Sequence, residues 1–129
     1  MRLRADILIA ALVLTGVTLP GPIIAGSTDS PDGEAAVFNP FAGRADMASE
    51  GKTLFNVHCS HCHGPNAVQG EKRRDLRRLR GRYGEQLPAV FIETASNGRP
   101  DRGMPAWEGV VEKEELWKIF TFLEMVQKE

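Results

Sequence analysis

The chain has 129 residues, 42% hydrophobic and 26% charged, and its 16 Lys and Arg against 17 Asp and Glu leave a net charge of -1. That length admits one small domain with a marginal apolar core. The near-neutral balance excludes a chain that acts through overall positive charge.

Arg2 and Arg4 precede an apolar run over residues 7–19, and Pro20, Gly21 and Pro22 break any helix before the small-residue pattern Ile23-Ile24-Ala25-Gly26. Residues 1–25 are therefore expected to be a secretory signal peptide. The apolar run falls short of the ~20 residues that span a bilayer. Counting on to Ala25 leaves an uncleaved anchor as the alternative. Residues 26–45 mix Ser, Asp, Pro and Gly with few apolar side chains and read as a flexible N-terminal arm. Residues 46–129 form the expected compact domain. Nothing after the signal is long and apolar enough to cross a membrane, so no stable insertion is expected once it is cleaved.

Within that domain Asp46 or Ser49 can cap a helix running toward Cys59, with Gly51 and Phe55 one turn apart on one face. A Gly inside a helix costs roughly 1 kcal/mol relative to Ala, and its physical use is close approach by another helix. The natural partner is the segment from Glu112 to Gln127, where Leu116, Ile119, Phe120, Leu123 and Val126 make an apolar stripe. Glu112, Glu114 and Glu115 suit the positive end of its dipole. Between these, Pro88 to Asn97 reads as a third helix, with Pro at its start and Asn97-Gly98 as its stop. No segment reads convincingly as a strand.

Cys59-Ser60-His61-Cys62-His63 is the first chemical signal. A Cys-x-x-Cys-His pentad can bind a haem through two thioethers and ligate its iron through the adjacent imidazole. With 2 Cys in the whole chain, a structural zinc site lacks ligands. A lone disulfide or a thioredoxin-like pair survives as an alternative, but neither explains His63. The second signal is Gly103-Met104-Pro105, where Gly and Pro fix an irregular backbone that can project a thioether inward. Met104 is the expected sixth ligand. Met47 and Met125 are expected to pack, and His58 and His61 to lie at the surface.

With these words in place the chain resembles a class I c-type cytochrome from about Asn39 to Gln127. That resemblance implies an all-α fold with terminal helices packed together around one covalently bound haem c, Gly51 and Phe55 meeting Ile119 and Phe122. It implies cofactor binding by Cys59 and Cys62, with His63 and Met104 as proximal and distal iron ligands. It also implies export to the periplasm, where bacterial haem attachment is completed. The family commonly places a Pro where this chain reads Arg74-Asp75-Leu76, so the acceptor for the His63 ring is expected at a carbonyl near Arg74 or at Pro65.

Asn39-Pro40-Phe41-Ala42-Gly43, Asp75-Leu76-Arg77-Arg78-Leu79 and Asn97-Gly98-Arg99-Pro100-Asp101 further resemble small periplasmic cytochromes that accept electrons from PQQ-dependent alcohol dehydrogenases. Such a dehydrogenase is the implied donor, and a further cytochrome or terminal oxidase the implied acceptor. The expected activity is that of a one-electron carrier and not an enzyme; the alternative is a peroxidase-like haem enzyme or ligand sensor with an openable distal site.

Removing Arg2, Arg4 and Asp6 from the 16 basic and 17 acidic residues leaves fourteen and sixteen, a net charge near minus two. Lys72, Arg73, Arg74, Arg77, Arg78, Arg80 and Arg82 nevertheless crowd one short stretch, relieved by Asp75. This is either a solvated face or a docking surface for an acidic redox partner. Without interleaved aromatics it does not read as a nucleic-acid surface.

Overall fold

The structure, a computed structural model, describes residues 36–128; the expected signal at 1–25 and most of the expected arm at 26–45 lie outside the described residues. The described chain is helical. α1 runs Ala45–His58, α2 Ser60–His63, α3 Leu79–Tyr83, α4 Leu87–Asn97 and α5 Lys113–Met125. Short 3-10 turns occupy Pro65–Ala67, Leu76–Arg78, Gly84–Gln86 and Pro100–Arg102. Among the described residues, β-type pairing is confined to one isolated bridge between Arg99 and Met104.

α1 and α5 meet where Gly51 lacks a side chain. A Cβ there would stand on the carbonyl oxygen of Lys118 and 2.8 Å from the amide nitrogen of Ile119. The missing methyl lets two helix backbones touch, and that contact offsets the propensity cost of Gly in a helix. Around the crossing Phe55, Ile119 and Leu123 are sealed from solvent. The rings of Phe55 and Phe122 meet at 5.5 Å with planes tilted by 55°, a geometry that aromatic quadrupoles favour. At its rim the Lys118 ammonium lies 3.0 Å from both Glu50 of α1 and Glu114 of α5.

The caps differ from the sequence reading at one helix. α1 starts after Arg44 with no side-chain cap, and Asp46, already inside the first turn, pairs with the Arg44 guanidinium instead. α5 is capped without Ser or Thr: the Glu112 side chain accepts from the N3 backbone, and Glu115 accepts from the Glu112 N–H at 3.0 Å. This is the reciprocal arrangement of a capping box, built here from two Glu.

On the far side of α5, Trp117 and Phe120 pack with Leu79 and Leu87, and Phe41 leans on the same cluster. Phe91 stacks on Phe120 at 4.9 Å. Phe41 is held there by Asn39, whose amide nitrogen donates to Thr121 Oγ1 at 3.0 Å and to Glu124 Oε2 at 2.6 Å. The Asn39 Oδ1 in turn accepts the Phe41 N–H at 3.0 Å. Among the described residues packing onto α5 thus begins at Asn39, inside the stretch whose composition suggested a loose arm. Composition reports polarity; it does not report that one polar side chain has two partners on a helix.

Candidate functional site

The pentad sits at the joint between α1 and α2. Cys59 closes α1 by donating its N–H to Phe55 O at 2.8 Å, and its own carbonyl accepts from Cys62 and His63 N–H at 3.3 and 3.0 Å. One helical turn therefore carries both thiols and the imidazole. After Gly64 the chain reverses through Asn66 and Ala67, both at positive φ, 55° and 63°, an uncommon backbone for residues other than Gly. Asn56, on the last turn of α1, holds the reversal: its Oδ1 accepts the Asn66 N–H at 2.9 Å and its Nδ2 donates to Asn66 Oδ1 at 3.2 Å. This clamp was not foreseen, although an Asn one turn before the first Cys was its visible signal.

Cys59, His63 and Met104 line one crevice whose other walls are Phe55, Leu76, Phe91, Ala95, Trp107, Val111, Leu116 and Ile119. Every wall residue in that second group is apolar. Cys62 is half-buried beside the crevice and is not part of its lining. The two thiols are not joined to each other. Burial, and secondarily the charge of Cys62, push the Cys59 thiol up to about 11. A thioredoxin-like nucleophile needs the opposite shift.

His63 Nδ1 lies 2.9 Å from the carbonyl oxygen of Arg74. A carbonyl can only accept, so Nδ1 carries the proton and the free lone pair is on Nε2. Of the two acceptors expected, Arg74 is the one used; the Pro65 carbonyl instead accepts the Val68 N–H at 3.1 Å.

Met104 is fixed through its backbone. Its N–H donates to Arg99 O at 3.0 Å and its carbonyl accepts the Arg99 N–H at 2.8 Å. The return of the loop is stapled to α4 by the Trp107 N–H, which donates to Ala95 O at 3.0 Å. Gly98 permits this closure, with φ +70° and no room for a Cβ, which would lie 2.5 Å from the Ala106 nitrogen. Of the other Met residues, Met47 is half-buried and Met125 is exposed, which corrects the expectation that Met125 packs: it falls on the solvent side of the last turn of α5. His61 is exposed, whereas His58 meets the edge of Trp107 at 5.6 Å. Thiol, imidazole with a free Nε2 and thioether, set in an apolar wall, are a donor set that fits a haem bound both covalently and at its iron.

Residues 46–123 match the family described as cytochrome c oxidase, cbb3-type, subunit III. Cytochrome c550 of Pseudomonas aeruginosa is 36% identical over 92 residues, covering 67% of this chain and 61% of the relative. The cbb3-type cytochrome c oxidase subunit CcoP of Azospirillum sp. (strain B510) is 34% identical over 76 residues, covering 54% of this chain and 25% of that protein. The chain thus spans less than two thirds of the length of either relative. The helical frame around the pentad and the match over most of the described domain agree: the chain belongs to the class I c-type cytochromes, the family that carries covalently bound haem c.

Proposed function

We propose that this chain is a one-electron carrier in which Cys59 and Cys62 hold haem c through thioethers and His63 and Met104 bind its iron. Cytochromes c are electron-transfer proteins and not enzymes. The observation that supports the ligand assignment most is the convergence of His63 and Met104 on one apolar crevice.

When bound, the haem supplies a ferric/ferrous couple, and His/Met ligation favours a raised potential. The chain's own residues do the rest. The Arg74 carbonyl holds the Nδ1 proton of His63, orienting the ring and raising its basicity as a ligand. The paired backbone bonds to Arg99 hold Met104. Phe55, Leu116 and Ile119 keep water from the crevice, and a low dielectric disfavours the more highly charged oxidation state. With His63 and Met104 both holding the iron, no position would be left for a substrate, which would set a carrier apart from a peroxidase-like enzyme or ligand sensor. The test is carbon monoxide. The reduced wild type is expected not to bind it, while Met104→Ala is expected to bind it and to have a lower potential; ready binding by the wild type would support the sensor or enzyme reading.

Residues 1–25 act as an export signal in this reading, the part of 26–45 before Asn39 as an arm, the remainder with 46–129 as the cytochrome domain, and the working compartment is the periplasm. Among the described residues no helix is long and apolar enough to cross a membrane. The donor is a PQQ-dependent alcohol dehydrogenase, supported by the sequence words around Asn39, Asp75 and Asn97. The acceptor is a further cytochrome or a terminal oxidase, supported by the likeness to a protein named as an oxidase subunit. Reduction of the ferric protein by purified quinoprotein dehydrogenases tests the donor, and failure with all of them would remove it.

A further inference from the structure

We infer that the segment from Glu71 to Tyr83 is the docking surface for an acidic protein partner, and that docking there is felt at His63 through the Arg74 carbonyl. This rests on the haem site proposed above.

Lys72, Arg73, Arg78, Arg80 and Arg82 are exposed. Among the described residues none of the five has a carboxylate within ion-pair range. The remaining two cations of the segment serve its own fold. Asp75 accepts the Arg77 backbone N–H at 3.0 Å and takes both ends of its guanidinium at 2.9 Å. Arg74 keeps a looser pair with Glu71 at 3.3 Å. On a chain of net charge -1, five exposed cations on one short segment make a polarised molecule that steers an acidic partner to this face.

The segment is anchored unevenly. Its second half is bolted to the residues just after α5: Gln127 donates to Leu76 O at 2.8 Å and accepts the Arg80 N–H at 3.0 Å, while the Lys128 N–H donates to Arg77 O at 2.6 Å. Its first half is a turn held by local bonds, with the Arg74 and Asp75 N–H groups donating to Glu71 O at 3.0 and 3.1 Å. The part a partner can shift is therefore the turn that supplies the acceptor for His63 Nδ1. A change in that bond alters ligand basicity, and ligand basicity sets the potential.

A protein surface fits better than a lipid one. Among the described residues the exposed large apolar side chains, Val37, Phe38, Val57, Val68, Val110 and Met125, all lie outside the segment, so it offers nothing to insert among acyl chains. Asp75 interrupts the cations, and Glu71 and Glu85 flank them, giving the mixed polar character of a transient protein contact.

The test uses the ferrous holoprotein at low salt with poly-L-glutamate as the probe. NMR follows the His63 Nδ1 proton and spectroelectrochemistry follows the midpoint potential. Poly-glutamate is expected to move the resonance and lower the potential. Arg78→Glu with Arg80→Glu should weaken binding by roughly tenfold or more and abolish both responses, and Lys52→Glu on α1 should leave both intact. Binding that leaves the His63 resonance still would overturn the coupling. Binding to phosphatidylglycerol vesicles but not to poly-glutamate would overturn the protein partner in favour of a membrane surface. A preparation with no haem spectrum contradicts the site itself, whereas a red, redox-active protein indifferent to poly-glutamate overturns this inference alone.

Discussion

Gly51→Ala should lower stability even though Ala is the better helix former. The added Cβ would meet the Lys118 carbonyl and lie 2.8 Å from the Ile119 nitrogen, where ordinary contact begins at 3.4 Å. Both obstacles are backbone, so neither can rotate away and α1 must part from α5. A gap of 0.5–1 Å forfeits about a quarter to a half of the dispersion energy of the contacts across it. The contacts at risk are those of Phe55, Ile119, Phe122 and Leu123, all buried. Overpacking of this kind costs about 1–3 kcal/mol, with an immovable backbone placing it near the upper end. Improved helix propensity returns roughly 1 kcal/mol. The net loss is about 2 kcal/mol, a fall in Tm of roughly 8–16 °C for a domain of this size. Thermal unfolding of the holoprotein, followed by far-ultraviolet circular dichroism, measures it. An unchanged or raised Tm would refute the close approach of the two helices.

Asp75→Asn tests a pH effect. The hydrogen-bonded Arg77 guanidinium, with further help from backbone and charge, pulls the Asp75 carboxyl down to about 2 from an ordinary 3.8. A depressed carboxylate stabilises the fold above its unfolded pKa and loses that contribution as pH falls through the folded value, so the variant should flatten the acid limb of stability between about pH 4 and 2. Asn39→Ala should cost about 1–2 kcal/mol and speed amide exchange at residues 41–44, because Thr121 keeps its bond to Trp117 O at 2.8 Å while Phe41 loses its tether; unchanged exchange would show that Asn39 does not hold the segment. The rate of electron transfer with an acidic partner should fall as salt rises past about 0.1 M, where the Debye length is near 10 Å. A flat dependence would remove the basic segment from recognition.

The terminal helices and the two chemical signals were legible because each rests on a local pattern. Apolar spacing in α5, the lone Gly51 and the tight Cys-x-x-Cys-His and Gly-Met-Pro words are each complete within a few residues, and the structure brings Cys59, His63 and Met104 of those words to one crevice. What could not be read depends on partners distant in sequence. The Asn39 tether reaches Thr121 and Glu124, and the Gln127 clamp reaches back to Leu76 and Arg80. The positive φ of Ala67 was equally hidden, since an Ala gives no turn signal; the Asn56 clamp on the neighbouring Asn66, the Ala67 N–H donating to Gly64 O at 3.1 Å and the burial of its methyl hold it there. The choice of Arg74 over Pro65 as acceptor also required the fold. In sequence both are carbonyls within reach, and only the folded path of the chain brings the Arg74 carbonyl to 2.9 Å from His63 Nδ1.

Intact-mass analysis of the purified native protein, with mapping of the peptide that holds Cys59 and Cys62, is the most direct measurement. One haem on that peptide with both sulfurs consumed as thioethers is the expected result. Two unmodified thiols, or a disulfide between them, on protein from a host able to mature c-type cytochromes would contradict it.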